Sequence, residues 1–355
     1  MGTFLSILFA ILIFSFLIFI HEFGHFITAK LSGVQVNEFA MFMGPAIWKK
    51  QIGQTLYSIR CIPIGGYCAM EGEDADTDNP RSFQKAAWWK RLIILVAGAF
   101  MNFVFGLLIL AIILAPVKEV NVLEVNSIES WSTVDDYGLQ VGDRILEMDG
   151  HKMLLYNDFS MVLMLNPGEY HDILVLRDGQ EVLMEDFRME LHPLTLEDGT
   201  EVQRYGITFG YEQLTASGRL KNIWYTAIDW VRTVIWSLEM LLTGKAAITD
   251  MSGPVGIVQQ MGEAADAAGT FSGAIINLLY FGAFIAVNLA VMNLLPIPAL
   301  DGGRVVALLL TTGIEAITRK KINPKYEGYI HAGGMILLLI LMAVIMFKDI
   351  IFLFK

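Results

Sequence analysis

Residues 3–20 carry no charged side chain, and this apolar run limits the possible folds of the chain more than any other feature. A lipid bilayer offers the backbone no hydrogen bonds, so a segment of this kind crosses it as a helix. Similar runs occupy residues 92–115, 271–295 and 333–347, each near the roughly 20 residues that a span requires. Hydrophobic residues form 55% of the chain and charged residues 17%, which excludes a purely soluble protein. We predict a membrane α-helical bundle of four transmembrane helices, the first over residues 3–27, with membrane lipid around it.

The first apolar run ends in an H-E-x-x-H motif, His21-Glu22-Phe23-Gly24-His25. Histidines four residues apart share one face of a helix, so both imidazoles can bind one Zn²⁺. Glu22 beside them can take a proton from a water that the metal activates. A pair of helix-end histidines at the membrane interface is the alternative, although ionisable groups inside a membrane are usually functional. We predict His21 and His25 as metal ligands and Glu22 as the catalytic residue.

A catalytic zinc ion takes three protein ligands and keeps one position open, so the chain must supply a third ligand. Asp301 is the candidate, because Pro296 and Pro298 end the third apolar run and let the backbone turn into the bundle. An ordinary helix cap in an interfacial loop is the alternative for Asp301. The histidines elsewhere are expected to be solvated or packed, on the wrong side of the membrane or without partners: His151, His171, His192 and His331.

The basic residues predict the orientation of the spans. Residues 116–270 hold 25 Asp and Glu against 10 Lys and Arg, whereas the loops after the first and third runs are rich in Lys and Arg. The positive-inside rule places these two loops in the cytoplasm, and it places residues 116–270 and both termini outside. No nucleic acid partner is expected for this acidic chain. The basic residues of the two loops are Lys30, Lys49, Lys50, Arg60, Arg81, Lys85, Lys90, Arg91, Arg304, Arg319, Lys320, Lys321 and Lys325.

Residues 55–70 alternate between apolar and polar side chains and are interrupted at Pro63 and Gly65-Gly66. This pattern favours a cytoplasmic β-hairpin that dips toward the membrane and offers an unpaired strand edge, with a simple structural loop as the alternative. Cys61 and Cys68 lie in this reducing compartment, so we expect no disulfide.

The outer segment predicts a small β-rich domain. Residues 137–150 read as a turn, a strand and a second turn, and strand-like runs follow at 172–177, 181–187 and 205–209, the first two joined by a hairpin at Asp178-Gly179. Residues 223–242 predict an amphipathic helix on the outer membrane surface or against the bundle. Ser252-Gly253-Pro254-Val255-Gly256 predicts a tight loop before the third span.

Two family resemblances follow from these motifs. The G-L-x-x-G-D-x-I-L-x-x-D-G pattern of residues 138–150 resembles the circularly permuted bacterial PDZ family over residues 120–211, which implies either peptide capture at a sheet edge or a size-excluding spacer. The H-E-x-x-H motif, the later N-x-x-P-x-P-x-L-D-G motif and the PDZ-like insert together resemble the site-2 protease family of intramembrane zinc metalloproteases (peptidase family M50), of the bacterial regulator-of-sigma-E type with a single PDZ-like domain. The domains are then 1–115, 116–212, 213–270 and 271–355.

The site-2 protease resemblance implies the roles of further residues. His21, His25 and Asp301 become the zinc ligands and Glu22 the general base. The substrate-binding residues become Asn288, Asn293 and the hairpin residues Gly65, Gly66 and Tyr67. Gly98 and Asn102 match a second-span motif in which Ala99 replaces the usual proline.

The implied function is cleavage of single-span membrane proteins, such as anti-sigma factors or signal-peptide remnants, within or near their transmembrane segment. The expected location is the inner (plasma) membrane. A non-catalytic scaffold that recruits partners through its PDZ-like domain is the first alternative, and a zinc transporter or metal sensor is the second.

Overall fold

The computed structural model describes residues 3–353 except for 74–76, 135, 196–199, 246, 248–251 and 320–324. Lys320 and Lys321, two of the basic residues used to orient the spans, lie outside the described residues. The chain divides into two compact units, and each has its own core. Unit 1 comprises residues 1–113 and 230–355, and unit 2 comprises residues 114–229.

Helices and strands alternate in blocks along the chain. The helices are α1 (Thr3–Ser32), α2 (Trp88–Leu114), α3 (Tyr156–Leu165), α4 (Ala216–Leu242), α5 (Pro254–Asp266), α6 (Phe271–Asn293), α7 (Asp301–Thr318) and α8 (Lys325–Leu353). The strands are β1 (Val36–Ile52), β2 (Thr55–Met70), β3 (Glu119–Ile128), β4 (Arg144–Met148), β5 (His151–Lys152), β6 (Tyr170–Arg177), β7 (Gln180–Arg188), β8 (His192–Thr195), β9 (Glu201–Arg204) and β10 (Ile207–Gln213).

Four helices of unit 1 are long and apolar enough to cross a membrane, as the sequence predicts. The qualifying segments are Ile7–Ser32 of α1, Trp88–Leu114 of α2, Phe271–Asn293 of α6 and Gly328–Ile351 of α8. Leu17 of α1 and Leu278 of α6 are fully buried in one cluster that also contains Met261 of α5. This packing fixes the helix that carries the histidines within unit 1.

The predicted hairpin over residues 55–70 is wrong in its extent, because these residues form only its second strand, β2. β1 supplies the other strand, and the turn lies at Gly53-Gln54. The two strands also bend back on themselves, so that Phe39 is opposite both Tyr57 and Cys68 while Tyr57 is also opposite Lys50. Four short segments therefore lie side by side, and residues 66–70 form one outer segment of this small sheet.

Unit 2 is built on an antiparallel sheet with the order β10-β3-β4-β6-β7, in which β5 pairs with β4. The β6–β7 hairpin turns at Asp178-Gly179, as predicted, with Arg177 opposite Gln180. Alternating side chains from β3, β4 and β6 pack with α3 in one core that includes Val125, Ile145, Val162 and Val175. Strand β10 is an end strand of this sheet among the described residues.

The amphipathic helix predicted over residues 223–242 is present as α4, and Trp230 on it stacks edge-on against Tyr280 and Phe284 of α6. The loop predicted at Ser252–Gly256 is wrong in part, because Pro254 begins α5. Of the five predicted loop residues, only Ser252 and Gly253 lie outside the helix. Proline is favoured at the first helical position, where its missing N–H is not needed. Asp349 of α8 caps this helix by accepting hydrogen bonds from the N–H groups of Gly253 and Gly256.

Candidate metal centre

His21 and His25 lie on one face of α1, four residues apart, and their side chains converge. The two Nε2 atoms are 3.2 Å apart, and the ring centroids are 4.8 Å apart. His25 is buried and His21 nearly so, because α2 covers this face of the helix. The helical spacing predicted from the sequence therefore brings two nitrogen ligands to one point.

Asp301 reaches the same point from a different part of the chain. Helix α6 ends at Asn293, residues 294–300 turn back, and Asp301 is the first residue of α7. Its Oδ2 lies 3.1 Å from His21 Nε2 and 3.3 Å from His25 Nε2. This oxygen is buried, and no hydrogen-bond donor other than the two imidazoles reaches it among the described residues.

The three ligand atoms have the spacing that a zinc ion requires. Ligands of a tetrahedral Zn²⁺ with bonds of about 2.0–2.1 Å are roughly 3.3 Å apart, which matches the three distances between His21, His25 and Asp301. Two neutral nitrogens and one carboxylate are also ligands that zinc prefers. His21, His25 and Asp301 are thus able to hold Zn²⁺ and leave one coordination position open.

Helix α2 holds both imidazoles in orientation. The Nδ1–H of His25 donates to the Ile94 carbonyl at 2.8 Å, which leaves the lone pair on Nε2 for a metal. The amide of Asn102 lies 3.4 Å from His21 Nδ1, and its oxygen can accept the Nδ1–H when Nε2 binds metal. A Cβ on Gly98 would lie 2.4 Å from His25 Nε2, so only glycine allows α2 to approach this closely.

Gly302 and Gly303, which follow Asp301, are also needed because neighbouring atoms leave no room for a side chain. A Cβ on Gly302 would lie 2.3 Å from the carbonyl oxygens of Leu294 and Leu295, and one on Gly303 would lie 2.3 Å from that of Ile297. The first turn of α7 therefore rests directly on the backbone of the preceding loop. This contact fixes the start of the helix and with it the position of the Asp301 carboxylate.

Glu22 and the glycines of β2 are neighbours. A Cβ on Gly66 would lie 3.4 Å from Glu22 Cγ and 3.3 Å from Ile18 Cγ2, which places the outer sheet segment against the face of α1 that carries Glu22. Gly65 has a φ of 81°, a left-handed conformation that glycine adopts readily. At Gly66 the outer segment therefore brings its backbone, with no side chain, to the side of Glu22.

Tyr67 lies on the outer segment of this small sheet, near Arg60 and Glu38. Arg60 donates to Glu38 at 2.7 Å and stands 5.1 Å from the centre of the Tyr67 ring. Burial alone would raise the pKa of Glu38, but hydrogen bonds from Ser58 and Arg60 hold it below its usual value. Tyr67 is thus part of a polar network on β2, on the strand segment that adjoins Glu22.

The remaining predicted site residues are on α6. Asn288 and Asn293 are both partly exposed, and Asn293 is the last residue of the helix, directly before the loop that leads to Asp301. Both asparagines keep the substrate-binding role only as a prediction.

Two features of the site were missed by the sequence reasoning. Helix α7 was not predicted, although Val305, Leu308 and Leu309 recur at helical spacing after Asp301. The contact of His331 was not predicted either: its Nδ1 accepts a hydrogen bond of 3.0 Å from the Ala299 N–H. His171, in contrast, is packed as expected, with its side chain fully buried in unit 2.

Comparison with known families agrees with this geometry. The sequence profile described as peptidase family M50 matches residues 9–341. The chain belongs to peptidase family M50. It is therefore a zinc metalloprotease, and its four apolar helices agree with a protein of the inner membrane.

Named relatives cover almost the whole chain. A Clostridium perfringens protein named "Putative zinc metalloprotease" is 38% identical over 348 residues, which is 98% of this chain and 98% of the relative. The regulator of sigma-W protease RasP of Bacillus subtilis is 28% identical over 96% of this chain and 97% of its own length. The zinc metalloprotease RasP of Oceanobacillus iheyensis is 29% identical, again over 96% and 97%.

Proposed function

We propose that this chain is an intramembrane endopeptidase that cleaves single-span membrane proteins within or near their transmembrane segment. The observation that carries the proposal is the convergence of His21, His25 and Asp301, with 3.1–3.3 Å between their donor atoms, inside a unit of four apolar helices. A protease site built into a transmembrane helix is reached by substrates that lie in the same membrane. Family membership favours this function over a non-catalytic scaffold or a zinc transporter.

Each residue of the site has a role in peptide hydrolysis. His21, His25 and Asp301 hold Zn²⁺, which when bound lowers the pKa of water and polarises the scissile carbonyl. The Glu22 carboxylate takes the proton of the attacking water and returns it to the leaving amine. The Ile94 carbonyl and Asn102 keep the imidazoles in the tautomer that binds metal through Nε2.

The substrate must be extended before it can be cut, because a helix hides its amides in intrahelical hydrogen bonds. The outer sheet segment at Gly65, Gly66 and Tyr67 is proposed to pair with the unwound substrate strand. This role is supported by the closeness of Gly66 to Glu22. Asn288 and Asn293 of α6 are proposed to bind the substrate backbone.

The proposed topology places the metal centre toward the cytoplasmic side and residues 116–212 outside the cytoplasm, together with both termini. The basic loops of the sequence support this orientation. Residues 213–270 then lie at the outer membrane surface. Protease accessibility of tags placed at either terminus, in sealed cells and in inverted vesicles, tests the assignment.

Unit 2 is proposed to be a PDZ-like domain that controls which substrates reach the site. Strand β10 lies at the end of its sheet and can accept a further peptide strand. Capture of a peptide at this edge and exclusion of large outer domains are distinguished by one experiment. Deleting the domain lowers cleavage if it captures peptides, and it extends cleavage to larger substrates if it excludes them.

The substrates are proposed to be anti-sigma factors and remnants of signal peptides, each first shortened by another protease. The RasP relative is named a regulator of sigma-W protease, which supports the anti-sigma assignment. Co-expression with a panel of tagged single-span proteins identifies the substrates as uncut forms that accumulate when the site is inactivated.

The deciding test compares Glu22→Gln with the native chain. We expect Glu22→Gln to retain zinc and to abolish cleavage, because the amide cannot accept the proton of the attacking water. Glu263→Gln on α5 is the matched control and should cleave normally. Undiminished cleavage by the Glu22→Gln variant would overturn the mechanism.

A further inference from the structure

Helix α8 holds the loop that precedes Asp301, through two residues that have no role in the proposed mechanism. His331 Nδ1 accepts the hydrogen bond from the Ala299 N–H at 3.0 Å. Gly334 lies so close to Pro298 that a Cβ on it would stand 2.4 Å from Pro298 Cβ and 2.7 Å from the Pro298 carbonyl oxygen. His331 and Gly334 are three positions apart in the helix, so both contacts come from one face of α8.

The loop has little freedom to respond to a change in these contacts. Ala299 has a φ of 79°, a left-handed conformation that a residue with a side chain keeps only when its surroundings hold it there. At the start of α7, Gly302 rests on the carbonyl oxygens of Leu294 and Leu295. The backbone that leads to Asp301 is therefore in contact with both the first turn of α7 and one face of α8.

We propose that α8 sets the position of the Asp301 carboxylate. In this proposal His331 is a positioning residue, and Gly334 lets Pro298 pack directly against the helix. The inference rests on the proposed function of Asp301 as a zinc ligand. Ala299 is two residues from Asp301, so a displacement of the loop at Ala299 moves the carboxylate away from the two imidazoles. Outer partners of metal ligands change metal affinity by roughly 10- to 100-fold when they are removed.

The chain offers two matched pairs of variants for a test. Gly333 and Gly334 are adjacent in α8, but a Cβ on Gly333 meets nothing within 4 Å. Gly333→Ala and Gly334→Ala therefore make the same change to the helix, and only the second displaces Pro298. His331→Asn keeps an acceptor at the place of Nδ1, whereas His331→Leu has a similar size and no acceptor.

The experiment measures metal binding by the full-length protein in detergent. Zinc affinity is obtained by competition with a chelator, and the geometry of the site is read from the visible absorption of the Co²⁺-substituted protein. We expect Gly334→Ala and His331→Leu to weaken zinc binding by roughly 10- to 100-fold and to change the Co²⁺ spectrum. Gly333→Ala and His331→Asn should stay within about twofold of the native chain on the same scale.

Cleavage kinetics provide a second measurement. At saturating zinc, Gly334→Ala and His331→Leu should lower kcat while KM stays near the native value, because the displaced group binds the metal and not the substrate. A general loss of folding would instead lower the fraction of active protein in Gly333→Ala as well.

The outcomes separate this inference from the proposed function. Native zinc affinity in both Gly334→Ala and His331→Leu would overturn the inference, as would equal losses in Gly333→Ala and Gly334→Ala. Asp301→Ala is the reference variant and should lose zinc. Full zinc occupancy in Asp301→Ala would overturn the ligand set of the proposed function itself.

Discussion

The chain buries a histidine beside an aspartate in each of its two units, and the two pairs differ in how their hydrogen bonds are satisfied. In unit 2, His171 Nδ1 lies 2.7 Å from Asp149 Oδ2, and its Nε2–H donates to the Gly168 carbonyl at 3.0 Å. In unit 1, His25 donates only through Nδ1, and its Nε2 faces Asp301 Oδ2 at 3.3 Å.

The two aspartates differ in how many hydrogen-bond donors surround them. Asp149 also accepts hydrogen bonds from the Asn166 amide and the Asp172 N–H, so its oxygens are well supplied with donors. Asp301 Oδ2 meets two imidazole nitrogens and no other donor among the described residues. A histidine–aspartate pair whose hydrogen bonds are all made, such as His171 and Asp149, stabilises a fold. Imidazole nitrogens and carboxylate oxygens that point their unprotonated lone pairs at one place bind a cation instead. The two contacts thus differ in what else reaches the carboxylate: further hydrogen-bond donors reach Asp149, whereas a second imidazole nitrogen reaches Asp301.

The largest expected difference between the two pairs is in metal content. His25→Ala removes a zinc donor, so purified protein should contain almost no zinc and should not cleave. His171→Leu removes no lone pair from the site and should retain zinc. Elemental analysis of both full-length variants checks this, and zinc retained in His25→Ala or lost in His171→Leu would break the comparison.

A smaller effect is expected when the ligands stay and only their spacing changes. Gly98→Ala places a Cβ within 2.4 Å of His25 Nε2, so the imidazole must shift and zinc affinity should fall by roughly 10- to 100-fold. Gly313→Ala on α7 is the control, since a Cβ there meets nothing within 4 Å. Chelator competition measures both variants, and native affinity in Gly98→Ala would contradict the close approach of α2.

Breaking the pair of His171 and Asp149 should lower the stability of unit 2 and leave zinc bound in unit 1. Asp149→Asn leaves His171 with a weaker partner inside unit 2, and the free energy of unfolding of that unit should fall by about 1–3 kcal/mol. Limited proteolysis in a denaturant series, with cleavage sites mapped to residues 114–229, measures the change. An accompanying loss of zinc would show that the two sites are coupled.

The smallest expected effect is the response of unit 2 to acid. Burial alone would raise the pKa of Asp149, but hydrogen bonds from His171, Asn166 and the Asp172 N–H hold it below its usual value. A lowered pKa contributes stability that is complete above the unfolded value of about 3.9 and is lost as the pH falls through the folded value. Hydrogen exchange of strands β4 and β6 should therefore accelerate below about pH 4. The acceleration should be smaller in Asp149→Asn, and an equal acceleration would assign the acid response to other groups.

Local patterns predicted much of this molecule because their physical causes are local. An uncharged apolar run must satisfy its own backbone in lipid, so the four long helices follow from composition. The spacing of His21 and His25 follows from the helical repeat, and Asp178-Gly179 specifies a tight hairpin. The proline pair before Asp301 likewise predicted that the third apolar helix stops there, which it does at Asn293.

Apart from α7, whose helical spacing is a local signal, the parts that sequence reasoning missed depend on contacts between distant segments. The partner of Thr55–Met70 is a strand that begins at Val36 and bends, and no local pattern specifies which of its residues face Tyr57 and Cys68. Pro254 begins a helix because Asp349, 95 residues later in the chain, caps it through Gly253 and Gly256. The partner of His331 is a backbone N–H in a loop 32 residues away, which leaves no trace in the sequence around the histidine.

The sequence by itself determined the membrane character of the chain and the H-E-x-x-H motif. It also identified Asp301, which follows the two prolines that end the third apolar run. Only the tertiary structure decided that His21, His25 and Asp301 meet with their ligand atoms within 3.3 Å of one another, because α2 approaches through Gly98 and the loop before Asp301 packs against Gly302 and Gly334. Helical periodicity places two ligands on one face, but steric fit between helices sets the distance to the third.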